Sequence, residues 1–297
     1  MIMIAKWENL NKKISIEKIA FELIKKAATT LPEDVKIALK KAYELENSDL
    51  AKLQLETILK NIKMAEELKR PICQDTGLIE FFVKSNKSSF LSNELHEALK
   101  NATRKATKEI PLRPNAVHPL KRINSGDNTG VNIPWIDIEL HEKDFTEITV
   151  LLKGAGSENM SSLLMLNPKD GVNALKRLLI DRVIKAGGKP CPPIILGIGI
   201  GGLVESAAKL AKKALLRPLD KRHPEKEVED LEKELLKAIN LTGIGSMGLG
   251  GSITALGVNI EYAFCHTASL PIVLNFQCWA GRRATAKIYE DEEVEFF

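Results

Sequence analysis

No apolar stretch in the chain approaches the ~18 consecutive residues a membrane-spanning helix needs, so no membrane span is expected. The opening Met1-Ile-Met-Ile-Ala-Lys-Trp7 carries too short an apolar run for a signal peptide, and no cleavage signal follows it. Basic charge is not concentrated: the net charge of +4 comes from Lys interleaved with Glu along the chain. That pattern argues against a nucleic-acid platform, which gathers its basic residues on one stripe. No two cysteines have the C-x-x-C type spacing of a zinc knuckle. Aromatic residues are only 5% of the chain, and beside abundant Lys, Glu and Ile this is compatible with a thermophilic source. Repeats, low-complexity tracts and linkers are missing too. The expectation is therefore a cytoplasmic protein with one domain, 1–297, and a candidate helical sub-region over 1–70.

What the chain has is four cysteines, three of them in unusual company. Cys73 lies in Arg70-Pro-Ile-Cys-Gln-Asp-Thr-Gly77, Cys191 in Gly187-Gly-Lys-Pro-Cys-Pro-Pro193, and Cys278 in Asn275-Phe-Gln-Cys-Trp-Ala-Gly-Arg-Arg283. Pro, Gly and polar neighbours place each in a turning segment that can present a side chain, whereas a core cysteine more often sits on an apolar face. In a reducing compartment such thiols bind metals or act in catalysis rather than form disulfides.

Apolar residues at three- and four-residue spacing predict helices over Ile14 to Lys69, broken at Leu31-Pro-Glu-Asp34 and Asn47-Ser-Asp49. A strand is expected at Leu78 to Lys84 and a helix at Phe90 to Lys108, followed by a loop-rich stretch to Pro134. Trp135 to His141 and Thr146 to Lys153 read as a hairpin. Helices are expected at Asp170 to Lys185, from Leu203, and over Pro224 to Ile239. Further strands fit Pro193 to Ile198, Ile253 to Tyr262 and Leu270 to Phe276, with an exposed acidic tail from Tyr289. The fold class is α/β: mixed sheets with surrounding helices and a helical N-terminal portion.

Gly197, Gly199 and Gly202 satisfy G-x-G-x-x-G between a strand and a helix, the spacing of a dinucleotide fingerprint. The acid-tipped second strand that should follow is replaced by Leu216-Arg-Pro-Leu-Asp-Lys-Arg-His-Pro224, which cannot be a buried parallel strand. A nicotinamide-dependent dehydrogenase is thus a minor reading. A weaker role, backbone N–H groups offered to an anion at a helix start, stays open.

Three thiolates can hold an iron–sulfur cubane and leave one iron open as a Lewis acid. Zinc is the competitor, with Cys265, His266 and Cys278 as awkwardly placed ligands. A non-catalytic metal sensor is another, with Cys265 as the spare fourth ligand. Gln74 and Asp75 follow Cys73, Arg113 can fork onto a carboxylate, and Arg282 and Arg283 follow Cys278. With His266 they suit a small dicarboxylate near a metal. Taken singly, Asp75 also reads as a turn residue, His266 as a core histidine and Arg113 as surface charge.

The runs Pro71–Gly77, Lys153–Asn159, Lys189–Ile194, Gly197–Gly202, Cys265–Pro271 and Asn275–Ala280 make the chain resemble a known family. It is similar to the α subunit, or N-terminal catalytic half, of class I (iron–sulfur) fumarate hydratases and the related L-tartrate dehydratases. The resemblance implies a [4Fe–4S] cluster on Cys73, Cys191 and Cys278, with Cys265 a packed thiol. It implies Gln74, Arg113, the Gly156 backbone and His266 around the substrate carboxylates, and Asp75 and His266 as catalytic groups. Because the chain ends soon after the third cysteine motif, a β subunit is expected to supply the rest of the active site, within a higher oligomer. The expected reaction is hydration of fumarate to L-malate, preferred for its generality in central metabolism, with L-tartrate dehydration the close rival.

Overall fold

The structure, a computed structural model, describes residues 15–86, 93–291 and 293–297. In chain order it comprises α1 (Ile16–Thr29), α2 (Glu33–Leu45), α3 (Asp49–Leu68), β1 (Leu78–Ser85), α4 (Asn93–Glu109), β2 (Trp135–Leu140) and β3 (Phe145–Lys153). Then follow a short α5 (Ala155–Glu158), β4 (Ser162–Leu166), α6 (Gly171–Ala186), β5 (Ile194–Gly201), α7 (Val204–Leu216) and α8 (Lys226–Asn240). The remaining strands are β6 (Ala255–Ala263), β7 (Leu270–Gln277), β8 (Arg283–Tyr289) and β9 (Val294–Phe296). This is the expected α/β class. No described helix is long and apolar enough to cross a membrane. The readings for residues 1–14, and the first residues of the helix placed from Phe90, fall outside the described residues.

The chain divides into two compact units, one of Met1–Pro32, Ala65–Lys153 and Arg282–Phe297, the other of Glu33–Met64 and Gly154–Gly281. The helical N-terminal portion is shared between them, with α1 in the first and α2 in the second.

In the first unit the sheet order is β2-β1-β3-β8-β9. Alternation along β1 turns Ile79, Phe81 and Val83 to one face, where Ile148, Val150 and Leu152 of β3 and Ala284 and Ala286 of β8 join them. The apolar stripes of α1 (Ile19, Leu23, Ile24) and α4 (Leu95, Leu99, Ala102) cover that face. Burying a side chain such as Leu23 contributes about 1.5–3 kcal/mol. The expected hairpin is not formed. β1 lies between β2 and β3, parallel to the first and antiparallel to the second. β1 and β3 carry the buried apolar residues and take the interior, while β2 is largely exposed and forms the edge. The acidic tail is exposed at Glu290, Asp291 and Glu293, as expected, and β8 and β9 pair antiparallel across it.

In the second unit the order is β4-β7-β5-β6, with β5 parallel to β6 and antiparallel to β7. One face packs Ile194, Leu196 and Ile198 of β5 and Ile272, Leu274 and Phe276 of β7 against α6 and α8. The opposite face receives α7, whose Ala207 and Ala211 meet Val273. The glycine run explains that approach. β5 continues through it, so Gly197 and Gly199 lie within the strand, and an added Cβ would come 2.3 Å from the Ala211 carbonyl oxygen or 2.0 Å from that of Ala207. These two glycines admit a helix backbone, which tells against the dinucleotide reading.

Candidate functional site

In the first unit the residues after α3 turn through Pro71 and Cys73 and enter β1. Arg70, Pro71, Cys73, Gln74, Thr76, Pro111 and Arg113 line an open depression of about 430 Å³. Two guanidinium groups and a carboxamide therefore stand around a free, half-buried thiol. The buried Thr76 hydroxyl joins the two segments of the wall, accepting from the Arg113 N–H at 3.0 Å and donating to the Arg113 carbonyl at 3.3 Å. Buried Asn128 supports the same segment: its Oδ1 accepts from the Asn115 and Ala116 N–H groups, and its Nδ2 donates to the Arg113 carbonyl at 3.1 Å.

Asp75 is committed to the loop. Its Oδ1 accepts from the Gly77 N–H at 3.0 Å and from Asn115 Nδ2 at 3.3 Å. Its carbonyl accepts from Arg282 Nη1 at 2.8 Å, and Arg282 is only 1% exposed. Gly77 holds φ +81° with the Lys153 backbone 2.7 Å from where a Cβ would stand, so only glycine fits this turn. The arrangement gives Cys73 and Gln74 a fixed base beside Arg113.

In the second unit Cys191 adopts φ +55° between Pro190 and Pro192. Its N–H donates to the Gly188 carbonyl at 3.1 Å, and its carbonyl accepts from the Trp279 N–H at 3.2 Å. That second bond ties the Cys191 loop to the Cys278 turn. Gly156 belongs beside them, since a Cβ there would stand 3.2 Å from the Lys189 carbonyl oxygen. The glycine-dense turn at Ser246–Gly248 closes on the loop: the Met247 N–H donates to the Pro192 carbonyl at 2.8 Å, and Gly248 packs on Gly188.

His266 and Cys265 are placed elsewhere. Cys191 precedes β5 and Cys278 follows β7, and the pairing of Ile195 with Gln277 puts both at one end of the sheet. The β6–β7 connection that holds Cys265 and His266 is at the other end. At about 3.3 Å per residue, β7 alone separates them from Cys278 by roughly 23 Å. His266 is exposed, and its Nδ1 accepts from the Ala268 N–H at 3.1 Å. The chain thus does not bring its own His266 to its Cys191 and Cys278. Cys265 is exposed rather than packed, and it cannot complete a ligand set with those two.

Among the described residues, no three His, Cys, Asp or Glu side chains are gathered as a metal group. The donor chemistry nevertheless fits an iron–sulfur cluster: Cys73, Cys191 and Cys278 are half-buried thiols outside any disulfide. The buried side-chain atoms Ser246 Oγ, Asn275 Oδ1 and Gln277 Oε1 have no hydrogen-bond partner among the described residues, and they lie near Cys191 and Cys278 along the chain or in the adjoining turn. Thr76, Asn115 and Asn128 were not singled out in the sequence. Asn115 and Asn128 had a signal in the Asn- and Gly-rich run after Pro114, but Thr76 had none beyond its neighbours.

The Fumarate hydratase (Fumerase) family profile matches residues 17–287. A Methanocaldococcus jannaschii protein named putative L(+)-tartrate dehydratase subunit alpha is 52% identical over 285 residues, 95% of this chain and 100% of that protein. The L(+)-tartrate dehydratase subunit alpha of Escherichia coli K12 is 36% identical over 269 residues, 90% of this chain and 89% of its own length.

Proposed function

The chain belongs to the fumarate hydratase (Fumerase) family, and from that premise we propose that it is the α subunit of a two-subunit iron–sulfur hydro-lyase for a four-carbon 2-hydroxy dicarboxylate. The observation that carries the proposal is the depression in which Cys73 stands beside Arg70, Gln74 and Arg113. Arginine presents a planar fork that matches a carboxylate, and two of them suit a substrate with a carboxylate at each end. Cys73, Cys191 and Cys278 would hold the cluster, which supplies Lewis acidity at an iron without a cysteine and so eases departure of the hydroxyl.

The chain's own groups do the rest. Arg113 and Gln74 bind and orient the carboxylates, and their positive and dipolar field offsets charge that gathers as the carbon-bound proton leaves. The Gly156 N–H is assigned to the same work on the second unit. Asp75 is assigned to proton transfer through its carboxyl, kept in one direction by Gly77 and Asn115. His266 is left out of the site that this chain builds with its own Cys278.

Between the two substrates, the relatives' names favour L(+)-tartrate over L-malate, a change from the preference for generality of reaction. Two other readings lose ground. A sensor with a saturated cluster lacks its fourth thiolate, because Cys265 is at the far end of the sheet, and the glycine run that suggested a dehydrogenase packs on α7.

The test is anaerobic assay of the chain with and without its cognate β subunit on L(+)-tartrate, L-malate and fumarate, beside iron and acid-labile sulfide analysis. Turnover that requires both chains, with tartrate the better substrate, is expected. Full turnover by the chain alone would overturn the two-subunit reading. Zinc without sulfide would overturn the hydro-lyase.

A further inference from the structure

The loop over residues 111–134 begins in the wall of the Cys73 depression, with Pro111 and Arg113, and ends at the edge strand β2. Its interior is firmly held. Asn128 bonds back to Asn115, Ala116 and Arg113, and Val117 bridges Asn124. Asp127 accepts from the N–H and hydroxyl of Thr129; against the upward push of burial, these bonds hold its carboxyl below the usual range. Two turns project from this frame. In one, His118 Nδ1 accepts from the Leu120 and Lys121 N–H groups; in the other, Gly130 and Ile133 exchange backbone hydrogen bonds.

Turn tips usually carry Gly, Asn, Asp, Ser or Pro. These carry Leu120, 87% exposed, and Val131, 92% exposed, with Ile123 at 65% nearby in the same loop. None of the three serves the chain's own core, yet rigid turns hold them in water. An apolar side chain on a mobile tip can fold away, whereas one on a braced tip stays presented. A partner that covers it then pays little ordering entropy.

We infer that the face presented by Leu120, Ile123 and Val131 is the docking surface for the β subunit, an inference that rests on the two-subunit reading above. Three observations point to that occupant. Relatives that match this chain over nearly its whole length are named α subunits, so a protein of this kind has a second chain to receive. The loop is continuous with the pocket wall at Arg113, so a chain seated there lies next to the proposed substrate site. β2, which the loop enters, is the outermost strand of its sheet and half-exposes Trp135. Lys121 and Arg122, between Leu120 and Ile123, set the chemistry of the partner as an apolar depression with an acidic rim.

The experiment measures binding of the full chain to its cognate β subunit by titration calorimetry. Wild type is compared with a Leu120→Ser/Val131→Ser double variant, a Val131→Ser single variant, and Phe264→Ser as an exposed apolar control on the second unit. Loss of two apolar anchors should weaken binding about thirtyfold in the double variant, with a smaller loss in the single variant and none in the control. If wild type does not bind the β subunit, the two-subunit reading fails and takes the inference with it. If wild type binds and both loop variants bind within about threefold of it, the reading stands and the surface is wrong. The basic, apolar loop also has the character of a lipid contact. Pelleting with phosphatidylserine vesicles that is lost in the double variant, with β-subunit affinity unchanged, would overturn the inference in favour of a membrane.

Discussion

Replacing Glu46 with glutamine tests how the Cys191 loop is held in place. Glu46 follows α2, is 2% exposed, and takes hydrogen bonds from four backbone N–H groups. Its Oε1 accepts from Asn47 at 2.9 Å, Ser48 at 3.0 Å and Ser252 at 2.9 Å, while its Oε2 accepts from Ser252 at 3.0 Å and Ile253 at 3.2 Å. These bonds fasten one end of the glycine-dense turn whose Met247 holds Pro192. Glutamine keeps the shape but offers one acceptor oxygen, so its amide nitrogen must face N–H donors. At least the Ile253 bond is lost, and the others lose their charge assistance. With hydrogen bonds to charged groups worth about 1.5–3 kcal/mol, Glu46→Gln should cost the second unit about 3 kcal/mol at neutral pH.

The pH dependence gives the sharper test. Burial pushes the Glu46 carboxyl up, but the N–H groups of Ser252, Ser48, Ile253 and Asn47 outweigh it and hold the folded-state value below the ordinary 4.5. A depressed folded value means the stabilisation is fully present above 4.5 and is lost as pH falls through the lowered value. Protonated glutamate then resembles glutamine, and the gap between wild type and variant closes. Urea unfolding of the cluster-free chain across this range measures the gap, and Cys191 alkylation reports whether the loop loosens. A gap below about 1 kcal/mol at neutral pH, or one that does not shrink in acid, would refute the reasoning.

Gly199→Ala should destabilise the chain by about 3 kcal/mol or more, because its Cβ would stand 2.0 Å from the Ala207 carbonyl oxygen; an unchanged melting temperature would mean that α7 does not pack as described. Cys191→Ser should remove iron and acid-labile sulfide from anaerobically prepared chain, and full retention of both would take Cys191 out of the ligand set. Arg113→Lys, which replaces a two-pronged donor by a point charge, should raise KM for the dicarboxylate about tenfold in the complete enzyme with kcat little altered. An unchanged KM would remove Arg113 from the site.

The periodic parts of the sequence were legible because they are local. The helices α1 to α4, α6 and α8 follow from apolar spacing and breakers such as Pro32, and β1, β3, β5 and β7 from apolar runs near the expected bounds. Pairing was not legible in the same way. β1 separates β2 from β3 because two strongly apolar strands take the sheet interior, a competition among segments far apart in sequence. Short strands such as β4 and β9 have too few residues to show a period. The role of the glycine run was not legible, because a glycine that admits a helix and a glycine that admits a phosphate look alike until the neighbouring backbone is known. Thr76 and Asn128, which hold Arg113 in the pocket wall, act through backbone partners that no spacing announces.

His266 is the instructive case, because its distance from Cys278 within one chain could have been read from the sequence. It stands only a short way before Cys278, and proximity in sequence made the two look like one site. The expected strand from Leu270 to Phe276 lies between them, and a strand carries its two ends apart at about 3.3 Å per residue. Closeness in sequence across a strand is therefore distance in space, as β7 shows. Cys191 and Cys278 illustrate the converse: far apart along the chain, they meet because β5 and β7 run antiparallel, and the start of one strand lies against the end of the other. Site residues are grouped by which ends of which strands coincide. A sequence shows that only when strand order and direction are inferred together with the motifs.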